Sequence, residues 1–244
     1  MRRMLSFANR TMKEILRDPL TMAFGLGFPV VLLLLLSLIQ ANIPVEMFEL
    51  THLTPGITVF GLSFMTLFSA QLISKDRASS LLTRLYTTPL KATDFILGYL
   101  LPVIPLCIAQ AVICYILALI LGLQFTINII WAILMIFVPS FFYVALGLLC
   151  GSALTEKQVG GICGALLTNL SAWLSGIWFD INMLGKAVKT FANALPFIHA
   201  VELERAMVLG DIKAALPHLW WVLGYGIVLM VIAVLVFLRQ MKRQ

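Results

Sequence analysis

The 244-residue chain is 61% apolar and 11% charged, with a mean hydropathy of +1.02. About a quarter of residues are charged in ordinary soluble domains, so the composition excludes a water-soluble globular protein and leaves the membrane class. The net charge of +6 arises from 17 Lys and Arg against 11 Asp and Glu; the cations are spread over separate loops and termini, which argues for a lipid surface and against a nucleic-acid partner.

Residues 3–17 predict an amphipathic helix. Arg3, Arg10 and Arg17 recur every seven residues with Lys13 on their face, and Met4, Ala8, Met12, Ile15 and Leu16 form the opposite stripe. Such a helix lies flat at a membrane interface. Asp18-Pro19 ends it, because proline disfavours helix in the residue before it. This region is long and carries Glu14 and Asp18, so a cleavable signal is not expected.

Six apolar stretches follow, at about 20–40, 55–74, 96–121, 127–151, 158–179 and 217–238. Each is near the ~20 residues needed to cross the hydrocarbon layer as a helix. Runs such as VVLLLLLSLI (30–39) lack the alternation of membrane strands. The expected fold is therefore all-α: one polytopic membrane domain over residues 1–244 with six transmembrane helices. Thirteen Lys and Arg fall on one side of these spans (the N-terminal segment, 75–94, 152–158 and the C-terminal tail), none in 41–54 or 122–126, and four in 180–216. The positive-inside rule then puts both termini in the cytoplasm.

Between the second and third stretches, SKDRASSLLTRLYTTPLKATDF (74–95) holds six charges. Ala78, Leu81, Leu82 and Leu85 share one helical face, and Arg77, Ser80 and Arg84 share the other. Ser74 can cap the start and Pro89 stops the helix. A solvated connecting loop is the plain alternative, since basic loops are usual on the inner face.

The four cysteines, Cys107, Cys114, Cys150 and Cys163, sit in apolar stretches and show neither disulfide nor zinc spacing. Gln71, Gln110, Asn169, Ser171 and Ser175 are polar residues within stretches, where hydrogen bonding between helices is the ordinary role. Gly147-x-x-x-Gly151 and Gly160-x-x-x-Gly164 read as helix-contact motifs. No Asp, Glu, Lys or Arg falls mid-stretch, which speaks against proton or sodium coupling. The chain has no G-x-x-x-x-G-K-[ST], HExxH or GxSxG, and Glu202 and Glu204 near His199 lie on different sides of a helix. No catalytic, metal or cofactor site is expected on this chain.

The 180–216 segment contains two apolar runs, 187–197 and 199–209. Pro196 can start the second helix, Gly210 can end it, and Glu202 can pair with Arg205 across one turn. A re-entrant hairpin and an amphipathic helix lying on the surface both fit this pattern.

Taken in order, these elements resemble a type-2 ABC exporter permease over the whole chain. Asp76-Arg77, Ser79-Ser80, Leu81, Leu82 and Leu85, then Thr88-Pro89-Leu90, resemble the charged stretch after the family's second span. LSGIWFDINML (174–184) resembles the end of its fifth span, and ALPFIHAVELERAMVLGD (194–211) its segment before the last span. The family's Glu, Gly-Thr and Asn are replaced by Asp76, Ser79-Ser80 and Leu195.

The resemblance implies that residues 1–19 are an interfacial helix and 75–88 a cytoplasmic coupling helix. Leu81, Leu82 and Leu85 would fill a cleft on a separate ATPase subunit that binds ATP and Mg, with Asp76, Arg77 and Arg84 pairing with its rim. It implies a second permease chain, identical or related, and location in the cell inner (plasma) membrane. The 180–216 region would be a re-entrant hairpin closing the outer mouth, with Pro196, His199, Glu202 and Arg205 as its marked residues. Spans two and five would line the pathway through Phe64, Phe68, Gln71, Asn169, Ser171 and Trp173. The cargo would be a hydrophobic or amphipathic compound moved out of the cell; a secondary transporter or channel without an ATPase is the alternative.

Overall fold

The computed structural model describes residues 2–42, 48–79, 92–179 and 181–241. Among them there is no strand. The protein is an all-α polytopic membrane protein, as backbone groups in lipid require when they must be satisfied within each segment. Helix α1 (Arg2–Arg17) precedes α2 (Pro19–Asn42), which contains a π turn at Ala23–Gly27. Asp18 caps α2, its carboxylate accepting from the Leu20 amide at 3.1 Å, and Pro19 occupies the first turn. Next come α3 (Leu50–Ala78), α4 (Ala92–Ile120), α5 (Ile127–Met135) and α6 (Phe137–Ala153).

Helix α7, residues 156–174, has three consecutive stretches of 4, 8 and 7 residues, the middle one a π-helix. Helices α8 (Lys186–Ala194), α9 (Pro196–Leu209) and α10 (Ile212–Met241) complete the chain.

Among the described residues, five helices are long and apolar enough to cross a membrane: Pro19–Asn42, Leu50–Ala78, Thr93–Ile120, Ile127–Ala153 and Ile212–Gln240. They match five of the six expected stretches. The sixth, expected over 158–179, is helical only to Leu174. Gly176, at φ +70, turns the chain just beyond it. Lys157, Gln158 and Asn169 dilute the hydropathy of α7, and its 19-residue length rises about 28 Å at 1.5 Å per residue.

Helix α3 is the axis of the bundle. Its span is 83% buried, against 22% for α2 and for α10, and it packs on α2, α4, α6, α7 and α9. Small residues let α6 approach closely. A Cβ on Gly147 would run into Ser69 Oγ, and one on Gly151 would lie 2.8 Å from both Ala70 O and Ile73 Cβ. Thr66 Oγ1 donates to Tyr143 O at 2.7 Å across the same contact. The motif at 160 and 164 behaves differently: Gly160 faces open space and Gly164 meets Leu67 at ordinary contact distance.

Two other polar residues join helices as expected. Gln110 donates to Thr58 O at 3.2 Å, tying α4 to α3, and Ser171 shares a 2.7 Å hydrogen bond with Tyr143 OH, tying α7 to α6. Asn169 instead donates within its own helix, to Ala165 O.

The buried face of α1 differs from the expected stripe. Phe7, Ala8, Thr11 and Ile15 are buried, whereas Met4 and Met12 are partly exposed and Leu16 is exposed. The reason is a socket on α4: a Cβ on Gly98 would collide with the Phe7 ring, which packs edge-on against Phe95 and Tyr99 at 5.4 and 5.0 Å. Helix α1 therefore docks on protein as well as presenting a basic face.

Because backbone atoms leave Gly151 no room, Gly151→Val forces α3 and α6 apart. Overpacking of this kind costs about 1–3 kcal/mol. A lowered melting temperature of the purified chain in detergent is the expected result, with Gly160→Val leaving it nearly unchanged.

Candidate functional site

Two clusters of polar side chains stand at opposite ends of the bundle. The first forms where α1 crosses the end of α3. Asp76, in the last turn of α3, is 3% exposed. Arg10 of α1 grips it with two hydrogen bonds of 2.6 and 2.9 Å, and Tyr99 OH of α4 donates to it at 2.8 Å. Glu14, one turn on from Arg10, adds a 2.6 Å ion pair. This fork geometry is the strongest form of charged hydrogen bond. It pushes the Arg10 guanidinium further above its ordinary value, chiefly through the Asp76 hydrogen bond.

The next residue, Arg77, reaches the other way. It donates to Gly151 O at 2.8 Å and Leu154 O at 3.2 Å. These carbonyls end α6, where the helix dipole favours a cation. Asp76 and Arg77 thus join α1, α3, α4 and α6. In sequence they resemble rim residues for a partner; in the structure both are engaged inside the chain, because a carboxylate in the last turn of a buried helix needs a countercharge.

Helix α3 runs through Ala78, and Ser79 is extended at φ −81, ψ 156. Residues 75–78 are thus the last turn of α3 rather than the start of a separate helix. Leu81, Leu82, Arg84 and Leu85 lie outside the described residues.

Beside this joint opens a cleft of about 880 Å³, lined by Lys13, Arg17, Lys75, Phe68 and Gln71 among others. Of the expected pathway residues it gathers Phe68 and Gln71. Phe64 is buried, in edge-on contact with Phe28 and Phe60 at 5.2 and 5.6 Å. Ser171 is buried on Tyr143. Asn169 and Trp173 are exposed on α7, four residues apart on a stripe with Gly161 and Ala165.

The second cluster holds the α8–α9 hairpin. Pro196 starts α9, and Gly210, at φ +77, ends it in the left-handed conformation that glycine allows. Helix α9 packs on α3, α5 and α10, and its Leu203 is 1% exposed. Arg205 donates to Glu202 at 2.8 Å, to Gly176 O at 3.0 Å and to His52 O at 3.3 Å, joining the hairpin to the end of α7 and the start of α3.

His199 and His218 face each other, Nδ1 to Nδ1, at 2.8 Å, and His199 Nε2 lies 2.9 Å from Asn193 O. A carbonyl only accepts, so His199 donates from Nε2 and its Nδ1 accepts from His218. Trp221 stacks on His199 at 4.9 Å, and Tyr225 OH donates to Ala194 O at 2.6 Å. The contacts that His218 and Tyr225 of α10 make to the α8–α9 hairpin were not legible in the sequence, because nothing local marks their partners.

The model of the ABC-2 type transporter family matches residues 3–209, and so takes in the first cluster and the α8–α9 side of the second, but not His218, Trp221 and Tyr225. The chain belongs to the ABC-2 type transporter family. Two curated relatives are similar. The capsule polysaccharide export inner-membrane protein CtrC of Neisseria meningitidis serogroup A is 26% identical over 159 residues, covering 65% of this chain and 60% of that protein. The protein of the same name from serogroup B is 28% identical over 154 residues, covering 62% and 58%. This ABC-2 chain therefore spans about three-fifths of the length of the curated relatives it matches.

Removing one partner of the joint exposes its energetics. Arg10 is partly exposed and keeps Glu14, so Asp76→Asn should cost about 1–3 kcal/mol, below the figure for a fully buried pair. Tyr99→Phe, which removes a single hydrogen bond, should cost about 1 kcal/mol. Thermal denaturation of the purified chain measures both, and equal losses would argue against Arg10 as the dominant partner.

Proposed function

We propose that this chain is the membrane permease subunit of an ATP-driven exporter. The observation that carries the reading is the family match over residues 3–209. The chain has no P-loop motif of its own, so ATP and Mg belong to a partner ATPase. The partner docks on the segment containing Leu81, Leu82, Arg84 and Leu85. That segment leaves α3 just after Asp76-Arg77 and rejoins the fold at α4, which carries Tyr99. Force applied there reaches α1, α3, α4 and α6 through one joint. The α1 end is cytoplasmic, as are both termini, in the inner (plasma) membrane, and a second permease chain completes the transporter.

In this reading α7 is the sixth span, since about 28 Å of helix nearly matches a ~30 Å hydrocarbon layer. Its exposed Asn169 and Trp173 face the pathway, which begins at the cleft with Phe68 and Gln71. The α8–α9 hairpin closes the outer mouth as a re-entrant element, a placement supported by the burial of α9 in protein. The cargo is a hydrophobic or amphipathic molecule. A polysaccharide-bearing cargo is the second reading, favoured by the likeness to two capsule polysaccharide export proteins.

Purification of the chain from its native membrane in mild detergent should bring down an ATPase in one-to-one ratio. Leu85→Glu and Arg84→Glu should leave the chain inserted and folded while abolishing ATP-dependent export in vesicles. Export that survives both changes would remove 80–91 as the docking segment. For the hairpin, Leu203→Cys in a background without native cysteines should react poorly with an impermeant thiol reagent, and His218→Ala should raise its labelling several-fold. Ready labelling without the second change would make α9 a surface helix.

A further inference from the structure

Position 204 interrupts an apolar stripe. On α9, Phe197, Val201 and Val208 share one face with Glu204, at i, i+4, i+7 and i+11, and all four are buried. Phe197 anchors that face on α6, its ring 6.0 Å from Phe142 and 6.3 Å from Tyr143. The Glu204 side chain is 0% exposed, and neither carboxyl oxygen has a hydrogen-bond partner among the described residues. Tyr115 of α4 is also buried, its hydroxyl is likewise unpartnered, and it is close enough to Glu204 for the two to interact electrostatically.

The sequence, with Glu204 in a segment between spans, gave no sign of a carboxyl enclosed in the bundle. None of the charged and titratable groups on the elements packed against α9 is a hydrogen-bond partner of the Glu204 carboxyl, and Tyr143 of α6 shares its hydroxyl's bond with Ser171. Helix α5 has none. Helix α3 offers His52 at its near end, and Lys75, Asp76 and Arg77 at its far end. Helix α8 offers Lys186 and Lys189, and α7 offers Glu156 and Lys157 at its far end. Helix α10 offers Lys213, His218, Tyr225 and Arg239. Within α9, Glu202 pairs with Arg205, and His199 with His218.

The cause acting on Glu204 is desolvation, which pushes its carboxyl well above the usual carboxylate range. An ionised carboxylate there, with neither countercharge nor donor, is far costlier than the neutral acid.

We propose that Glu204 and Tyr115 form an internal proton-binding site, with Glu204 a neutral acid while the α8–α9 hairpin is packed on the bundle, exchanging its proton only when the hairpin lifts. The proton passes between a Glu204 oxygen and water admitted at the hairpin, and no other bond changes. The packed hairpin holds this proton more tightly than the lifted one. Packing is therefore favoured as pH falls and opposed as pH rises, by up to about tenfold per pH unit between the two pKa values. The inference rests on the burial of α9 and does not require the export reading.

Infrared spectroscopy of the purified full chain in lipid nanodiscs at neutral pH tests it. The wild type should show a protonated-carboxyl C=O band that is lost in Glu204→Gln. In D2O this band should shift slowly, and at least tenfold faster in His218→Ala, which loosens the hairpin. Tyr115→Phe should move the band without removing it. If no such band is lost, or if it exchanges at once in the resting protein, the proposal fails. Should Glu204→Gln not fold, Tyr115→Phe with carbon-13-labelled glutamate reads the same band, and an unmoved band overturns the pairing.

Discussion

A carboxyl that is nearly all buried either keeps its proton or finds a countercharge, and Asp76 finds one on another helix. Much of the α1 end of the protein follows from that requirement. Arg10 must lie over the end of α3, so α1 must lie across α4. Phe7, one turn before Arg10, then falls on the only kind of residue that admits it there, a glycine at 98. Tyr99 supplies the third hydrogen bond from the adjacent position on α4. Arg77, next to Asp76, completes the arrangement by gripping the carbonyls that end α6. The residue pair that leads into the proposed docking segment is thus committed to internal bonds, which suits it to pass on displacement rather than to bind a partner.

The opposite end is held by a second arginine. Arg205 of the hairpin bonds the carbonyl of His52, in the first turn of α3. Helix α3 therefore has an arginine contact at each end of its 29 residues, about 44 Å of continuous helix. Its burial on five neighbours leaves it little freedom to bend independently of them. This long buried rod, held at both ends, physically joins the α1 joint to the hairpin.

Hydropathy made the spans legible because a long apolar run has few other uses. It failed to carry α7 as clearly, where Lys157, Gln158 and Asn169 offset the leucines. Gly147 and Gly151 behaved as their spacing suggested, while of Gly160 and Gly164, with the same spacing, the first faces open space and the second meets only the Leu67 side chain at ordinary contact distance. A small-residue motif states that close approach is permitted, and only the partner surface decides whether it occurs. Charge was the least reliable guide. Asp76 follows a span and Glu204 falls between spans, both positions that read as exposed, yet both are enclosed. Sequence reports a charge and its local neighbours; Arg10, sixty-six residues from Asp76, could be paired with it only through the fold.

The short helix α7 has a consequence for the surrounding lipid. If it crosses the bilayer, its roughly 28 Å stand beside α3 and α10, whose 29 and 30 residues rise about 44–45 Å. Long helices relieve such excess by tilting or by extending into the headgroups, whereas a short one draws the two leaflets together. The membrane along the Asn169 and Trp173 face would be locally pinched, and the hydrocarbon barrier would be at its thinnest beside the exposed Asn169 amide.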